Sequence, residues 1–334
     1  MMAATAARAL DVEGLHVRTD DGTPIVTDVS FHVGPGERVA LIGESGSGKS
    51  VTALAALGLL PDGLRGQGSV RLGERQLMGL PDRALSRLRG DELAMVFQEP
   101  MSALNPLMRV GDQVAEVLQI HRGRSRAAAR RQAVELLERV ELGDAGSRAR
   151  AYPHQLSGGQ RQRVMLAMAV ACDPAVLICD EPTTALDVTV QARMLRLIDT
   201  LVRDRDTGLL FITHDLAVVS GLCDRVLVLY GGRVVEEGPT GTVFDAPRHH
   251  YTVGLLAASA ATTDADRRDV HSRLPTIAGA VPAAGAFPSG CVFRSRCPRA
   301  DEVCHQVPPL EPLPRDRDRR RSVACWHPAE EAGA

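Results

Sequence analysis

The sequence predicts an α/β layered fold built around a mostly parallel sheet. Between about residues 10 and 250, short apolar runs of strand length alternate with longer helical stretches, the pattern of a sheet with helices packed on its faces. One such run, 38–42, leads directly into a glycine-rich loop and then an apolar helix. The composition is that of an ordinary soluble globular chain, with 44% apolar and 24% charged residues over 334 positions, a length that suits two domains. Aromatic residues are only 3%, so the core must be built from Ala, Val and Leu. A net charge of −2 removes the global electrostatic case for a nucleic-acid binder.

The candidate strands, in order, are Val29–Val33, Arg38–Ile42, Leu93–Phe97, Val176–Cys179, Leu209–Thr213 and Arg225–Tyr230. Residues 108–140 read as two helices, and the five arginines of Arg122–Arg131 read as a solvated helix face. Residues 257–290 are rich in Ala, Thr, Gly and Pro and read as a linker. The tail from 291 carries cysteines, prolines and the run Arg315–Arg321, which reads as a solvated loop, or as a contact for an anionic membrane surface. The longest apolar run, Val164–Cys172, has nine residues, against the ~18 that mark a bilayer span. The first residues, MMAATAARALDVEG, have no leader-like apolar core, so neither export nor a span is expected. Cys172, Cys179 and Cys223 sit singly among apolar neighbours and read as small buried hydrophobes.

The chemistry begins at Gly43-Glu44-Ser45-Gly46-Ser47-Gly48-Lys49-Ser50, which fits G-x-x-x-x-G-K-[ST] between the strand Arg38–Ile42 and the helical run Val51–Leu60. Glycines let the backbone curl so that successive N–H groups face phosphate oxygens, and the helix start adds its positive end. Lys49, the only lysine in the chain, reaches the β- and γ-phosphates, and the Ser50 hydroxyl ligates Mg²⁺. A second run, Val176–Asp180-Glu181, ends an apolar strand in two carboxylates. In the same sheet, Asp180 would hold Mg²⁺ and Glu181 would be the general base for an attacking water. Leu156-Ser157-Gly158-Gly159-Gln160 precedes an amphipathic stretch, with Ser157 as N-cap. Exposed amides there suit a phosphate, and since one phosphate loop already exists, this second device serves a second subunit's nucleotide.

With these motifs in place, residues 10–250 resemble the ATP-binding subunits of ABC transporters, whose fold is a P-loop NTPase core with an inserted helical subdomain. The resemblance implies a cassette over 1–250, with the helical insertion at about 100–165. Its nucleotide-binding set runs from Gly43 through Ser50 to Val51, with Gln98 of Val96-Phe-Gln-Glu-Pro as the Q-loop glutamine and a Mg²⁺ ligand. Ala185-Leu-Asp187 matches the D-loop, and His214 the switch histidine that meets the γ-phosphate beside Glu181. It also implies a head-to-tail pair of ATPase subunits, identical or homologous, with ATP between one chain's loop and the other's Leu156–Gln160 segment. One position departs from the family. No Phe, Tyr or Trp lies between Met1 and Ser30, where an aromatic near Thr19 would stack on adenine. Adenine stacking is then weak, or falls to His16 or to a partner residue.

Cys291-x5-Cys297-x6-Cys304-x20-Cys325 lies in a short, Pro-rich, core-poor segment of the kind that needs a staple. Its spacing lacks the tight pair usual for structural zinc. An iron–sulfur cluster, zinc and plain thiols all remain open from the residues alone. The wording around Gly290-Cys-Val-Phe-Arg-Ser-Arg-Cys-Pro is similar to the C-terminal domain (251–334 here) of oligopeptide and dipeptide importer ATPases, which implies a [4Fe–4S] site.

The expected function is ATP hydrolysis that energises peptide uptake from the cytoplasmic face of the cell membrane. Its expected partners are two integral membrane permease subunits, a second ATPase subunit and an extracytoplasmic substrate-binding protein, with no nucleic acid. Nickel, glutathione or another solute is the alternative cargo. A soluble ABC ATPase acting on DNA or ribosomes is the remote alternative. The interval from Gly43 to Ser157 lacks the sustained heptads of the repair enzymes, and there is one cassette rather than two.

Overall fold

The computed structural model describes residues 9–99, 103–184, 187–263, 276–313 and 320–330. The strands, in chain order, are β1 (Leu10–Thr19), β2 (Pro24–Val33), β3 (Arg38–Ile42), β4 (Leu64–Leu72), β5 (Arg75–Gln76), β6 (Leu93–Val96), β7 (Val176–Asp180), β8 (Gly208–Thr213), β9 (Arg225–Tyr230), β10 (Arg233–Pro239), β11 (Glu311–Pro312) and β12 (Ser322–Val323). The main sheet runs β11-β12-β10-β9-β3-β8-β7-β6. Its five strands from β9 to β6 are parallel, while β10, β12 and β11 join one edge antiparallel. A second sheet, β2-β1-β4-β5, is wholly antiparallel.

The parallel strands are apolar throughout because both of their faces are covered. Alternate residues go to opposite sides. Ala40, Ile42, Leu177, Cys179, Leu209 and Phe211 join a core with the helices of 110–169. Val39, Leu41, Val176, Ile178, Leu210 and Ile212 join another with the antiparallel sheet and the helix Lys49–Leu57. Between β6 and β7 the chain forms the helices Val110–Arg122, Arg126–Arg139, Ala145–Arg148 and Gly158–Ala169. The first two answer to the pair read at 108–140. Their arginines are partly paired, Arg122 with Asp91 and Arg130 with Asp112.

The structure corrects three readings. Val29–Val33 is the end of a ten-residue strand in the antiparallel sheet, not a strand of the parallel one. The stretch read as a linker starts within the helix His250–Thr263; residues 264–275 lie outside the described residues. In the run Arg315–Arg321, residues 315–319 also lie outside, but Arg321 is buried rather than solvated. Its Nη2 donates to Glu236 Oε1 at 2.8 Å, and Glu236 is 0% exposed and also accepts from the backbone N–H groups of Arg248 and His249.

The aromatic residues are also concentrated. Tyr230 lies 4.6 Å from Tyr251, 5.7 Å from Phe287 and 5.2 Å from Phe293, centroid to centroid, the last two edge-on. These four of the chain's ten aromatic residues weld the segment after 276 to β9 and to the helix His250–Thr263.

A charge pair this deep holds only while both partners are present. Arg321→Met is therefore expected to cost about 3–5 kcal/mol of stability by leaving Glu236 uncompensated. Thermal unfolding reads this as a lowered midpoint, and an unchanged midpoint would reject the coupling.

Candidate functional site

Strand register brings the site together. Ile42 on β3 pairs with Thr213 on β8, and Ile212 pairs with Asp180 on β7. The loops after β3, β7 and β8 therefore leave the sheet side by side, at the carboxyl ends where open α/β sheets bind ligands.

The first loop spans 43–48 and opens the helix Lys49–Leu57, whose second and third residues are Ser50 and Val51. Gly43 has φ 154°, and a Cβ there would stand 2.2 Å from the Leu229 carbonyl oxygen. Only glycine lets the loop pass so close to β9. Gly46 and Gly48 also adopt positive φ, while Ser45 and Gly46 are exposed at the rim. Ser47 is buried, its backbone carbonyl accepting from Gly232 N–H at 3.1 Å. Lys49 Nζ donates to the carbonyls of Gly43 (2.8 Å) and Glu44 (3.0 Å). Burial pulls the Lys49 pKa down, while Glu181, Asp180 and Glu44 act to raise it.

The Ser50 hydroxyl donates to Asp180 Oδ1 at 3.1 Å. Asp180 is 6% exposed, and burial lifts its carboxyl above the usual range, with the Glu181 charge adding and the Ser50 hydrogen bond and Lys49 opposing. Glu181 follows in a left-handed conformation, φ 46°, uncommon for a residue with a side chain. It is held there by its N–H to the Ile212 carbonyl at 2.9 Å. Three side chains converge on its carboxylate. Gln98 Nε2 donates to Oε2 at 3.3 Å, Thr184 Oγ1 donates to Oε2 at 3.0 Å, and His214 Nδ1 faces Oε1 at 3.2 Å.

His214 is in turn positioned by its neighbour. Asp215 caps the helix Leu216–Leu222 through Ala217 and Val218 N–H, and its other carboxylate oxygen accepts from Gln191 Nε2 at 3.1 Å. Gln191 lies on the helix Val188–Arg203, whose N-cap is Asp187, accepting from Val190 N–H. Ala185 and Leu186 lie outside the described residues.

Leu156–Gln160 sits at a different helix start, that of Gly158–Ala169. Leu156 is buried, whereas Ser157 and Gly158 are exposed. Ser157 and Gln160 form a reciprocal capping box, which fixes the turn while leaving its outer surface free for an outside ligand. His16 is half-buried on β1. The motif residues thus fall into two sets, the cradle with its acids and this separate exposed turn. Thr184, Gln191, Asp215, Tyr251 and Arg296 escaped the reading from sequence. Thr184 lies only three residues beyond Glu181, a spacing that is a local signal; Tyr251 and Arg296 carry none.

The four C-terminal cysteines also come together. Cys291 N–H donates to the Cys304 carbonyl at 3.0 Å. Burial, with the thiols of Cys291, Cys297 and Cys304 adding, pushes the Cys325 thiol up to about 12. Burial raises Cys291 and Cys297 as well. Among the described residues, the group of three His, Cys, Asp or Glu ligand atoms that all lie within 4.8 Å of one another is Asp301, Cys304 and His327. Cys172, Cys179 and Cys223 are buried free thiols.

Comparison with known proteins agrees with this geometry. The ABC transporter family model matches residues 26–184, and the model of the oligopeptide/dipeptide transporter C-terminal region matches 235–304. The oligopeptide transport ATP-binding protein OppD of Salmonella typhimurium is 46% identical over 326 residues, covering 96% of this chain and 94% of that protein. OppD of Mycobacterium tuberculosis is 50% identical over 295 residues, covering 86% of this chain and 47% of that longer protein. Among solved structures, the dimeric ATP-binding cassette MJ0796 in a post-hydrolysis state with ADP and phosphate superposes with a TM-score of 0.61 at 29% identity, covering 69% of this chain and 98% of that one. CbiO1 of Clostridium perfringens, part of the cbiONQ ABC transporter complex, gives 0.61 at 26% identity, covering 71% and 91%. The chain belongs to the ABC transporter ATPase family, in the branch that carries the oligopeptide/dipeptide transporter C-terminal region.

The raised Asp180 carboxyl fixes the sign of a stability test. Its protonated form is favoured in the folded chain, so its contribution is lost as pH rises through the folded pKa, and at pH 7 the ionised group costs stability. Asp180→Asn, melted without nucleotide or Mg²⁺ at pH 7, should unfold at a higher temperature than the native chain. The gap should close as pH falls into the carboxylate range. Equal midpoints at pH 7 would contradict the assignment.

Proposed function

We propose that this chain is the ATP-hydrolysing subunit of an ABC importer that energises peptide uptake across the cytoplasmic membrane. The convergence of Gln98, Thr184 and His214 on Glu181, beside the Ser50–Asp180 pair, carries the reading. An orientated carboxylate at the carboxyl edge of the sheet is what deprotonation of a water requires. The C-terminal region and the OppD relatives support peptide as the cargo.

In this reading Gly43–Gly48 wraps the phosphates with backbone N–H groups, and Lys49 turns from the loop carbonyls to the β- and γ-oxygens. The donor set of Ser50, Asp180 and Gln98 is all oxygen, with one buried carboxylate, which suits a hard divalent cation. Mg²⁺ held there would neutralise charge on the transferring phosphoryl group. The oxygen of a water bonds to the γ-phosphorus while Glu181 takes its proton and the bond to the ADP oxygen breaks. His214 holds a γ-oxygen and the Glu181 carboxylate in line. Leu156–Gln160 of a second ATPase subunit closes the other side, with Asp187 at the junction.

The division that follows is a cassette over 1–250, an inserted helical part at about 100–165, and a cysteine-bearing module over 251–334 docked on the cassette. Among the described residues no helix is long and apolar enough to cross a membrane. Two permease subunits would supply the path, and an extracytoplasmic binding protein would deliver the peptide. The chain then sits as a peripheral subunit on the cytoplasmic face.

The four cysteines fit a [4Fe–4S] cluster in donor type and number. No three of these thiols fall within 4.8 Å of one another, against the ~3.8 Å that separates sulfur atoms on a single tetrahedral zinc with Zn–S bonds of about 2.3 Å. Cys291, Cys297, Cys304 and Cys325 would hold the cluster, which as a structural staple would tie a core-poor segment together.

Glu181→Gln should lower ATP turnover by about 10²-fold or more while ATP still binds. Undiminished hydrolysis rejects Glu181 as the base. The permeases should co-purify with the native chain and raise its peptide-dependent hydrolysis. Anaerobically prepared protein should be brown and lose that colour and its iron in Cys297→Ser. A preparation holding zinc and no iron would overturn the cluster.

A further inference from the structure

The side chain of Glu44, the second residue of the phosphate loop, plays no part in the chemistry above, yet it is an acid beside the place where a triphosphate must sit. An uncompensated carboxylate there opposes binding by direct repulsion. The fold answers it from behind. Arg296 Nη1 donates to Glu44 Oε2 at 2.8 Å and Nη2 donates to Oε1 at 3.4 Å.

Arg296 is itself firmly seated, with a side chain only 5% exposed. Its Nε donates to the Ala278 carbonyl at 2.9 Å, Nη2 to the Ile277 carbonyl at 3.4 Å and Nη1 to Tyr230 Oη at 3.3 Å. The Glu44 backbone is held as well. Its N–H donates to Tyr251 Oη at 2.8 Å, and its carbonyl accepts from Lys49 Nζ. All three polar groups of this loop residue are therefore fixed, two of them by side chains 207 and 252 positions away in sequence.

We propose that Arg296 and Tyr251 are positioning residues for nucleotide binding, through which the C-terminal region sets the charge and shape of the phosphate loop. Arg296 cancels the Glu44 charge and draws the carboxylate away from the cradle. Tyr251 fixes the orientation of the peptide preceding Glu44. Neither touches the phosphates. Arg296 directly precedes Cys297, so the packing of the cysteine module and the geometry of the loop are mechanically one unit. The inference rests on the ATP-binding part of the proposed function and is independent of the cargo and of what the cysteines hold.

The test is titration of the purified full-length chain with ATP and Mg²⁺, together with thermal melting. Arg296→Met should weaken ATP binding about tenfold, equivalent to ~1.4 kcal/mol. Adding Glu44→Gln to that variant should bring affinity back to within about threefold of the native chain, because the charge needing compensation is gone. A role in packing alone would leave the double variant as weak as the single one, and that result overturns the proposal, as does native affinity in Arg296→Met. Tyr251→Phe removes one oxygen and serves where Arg296→Met fails to fold. It should raise the KM for ATP several-fold with kcat retained, and an unchanged KM rejects the role of Tyr251. A native chain that bound no ATP at all would instead sink the proposed function.

Discussion

The carboxyl ends of β3, β8 and β7 lie in one row, and every feature of the site depends on that alignment. Pairing of Ile42 with Thr213 and of Ile212 with Asp180 fixes where the phosphate loop, the acidic pair and His214 emerge. Slipping one strand by a residue would send its whole side-chain set to the opposite face. The two cores hold the register, since Val39 and Leu41 pack on one side and Ala40 and Ile42 on the other. Catalytic geometry here is a by-product of apolar alternation in buried strands.

On this frame the electrostatics are deliberately unbalanced. Asp180 and Glu181 are adjacent acids facing the only lysine, and burial works against the charged forms of both Asp180 and Lys49. Such an arrangement costs stability in the empty cradle and is relieved when phosphate and cation arrive together, a common trade of stability for function. The left-handed backbone at Glu181 belongs to the same economy, since an awkward conformation persists only where neighbours over-determine it.

The sequence made the parallel core legible because its strands are continuous apolar runs. The bounds of β3 and β9 were readable to the residue, and the phosphate loop stood out by spacing alone. The antiparallel sheet was harder. β1 is interrupted by Glu13 and Gly14, and β4 carries Gly66, Gly68 and two arginines, so neither looks like a buried strand. β11 and β12 have two residues each, too few for any periodicity. Arg321 was hidden in a run of like charges, a pattern that normally marks solvated surface. Tyr251 and Arg296 are meaningful only through contacts that span most of the chain.

The closing pieces of the main sheet matter for another reason. Among the described residues, β10 finds its outer neighbour in β12, and the anchoring Arg321 lies 85 positions after Glu236. A ribosome delivers β10 well before the strip that seals it. Throughout that interval a row of unsatisfied amides faces outward and can recruit a strand from another molecule. Once β12 docks, the border passes to β11, whose two residues include Pro312, a poor template for further growth. The cysteine-rich segment thus supplies the strip that covers the outer border of β10.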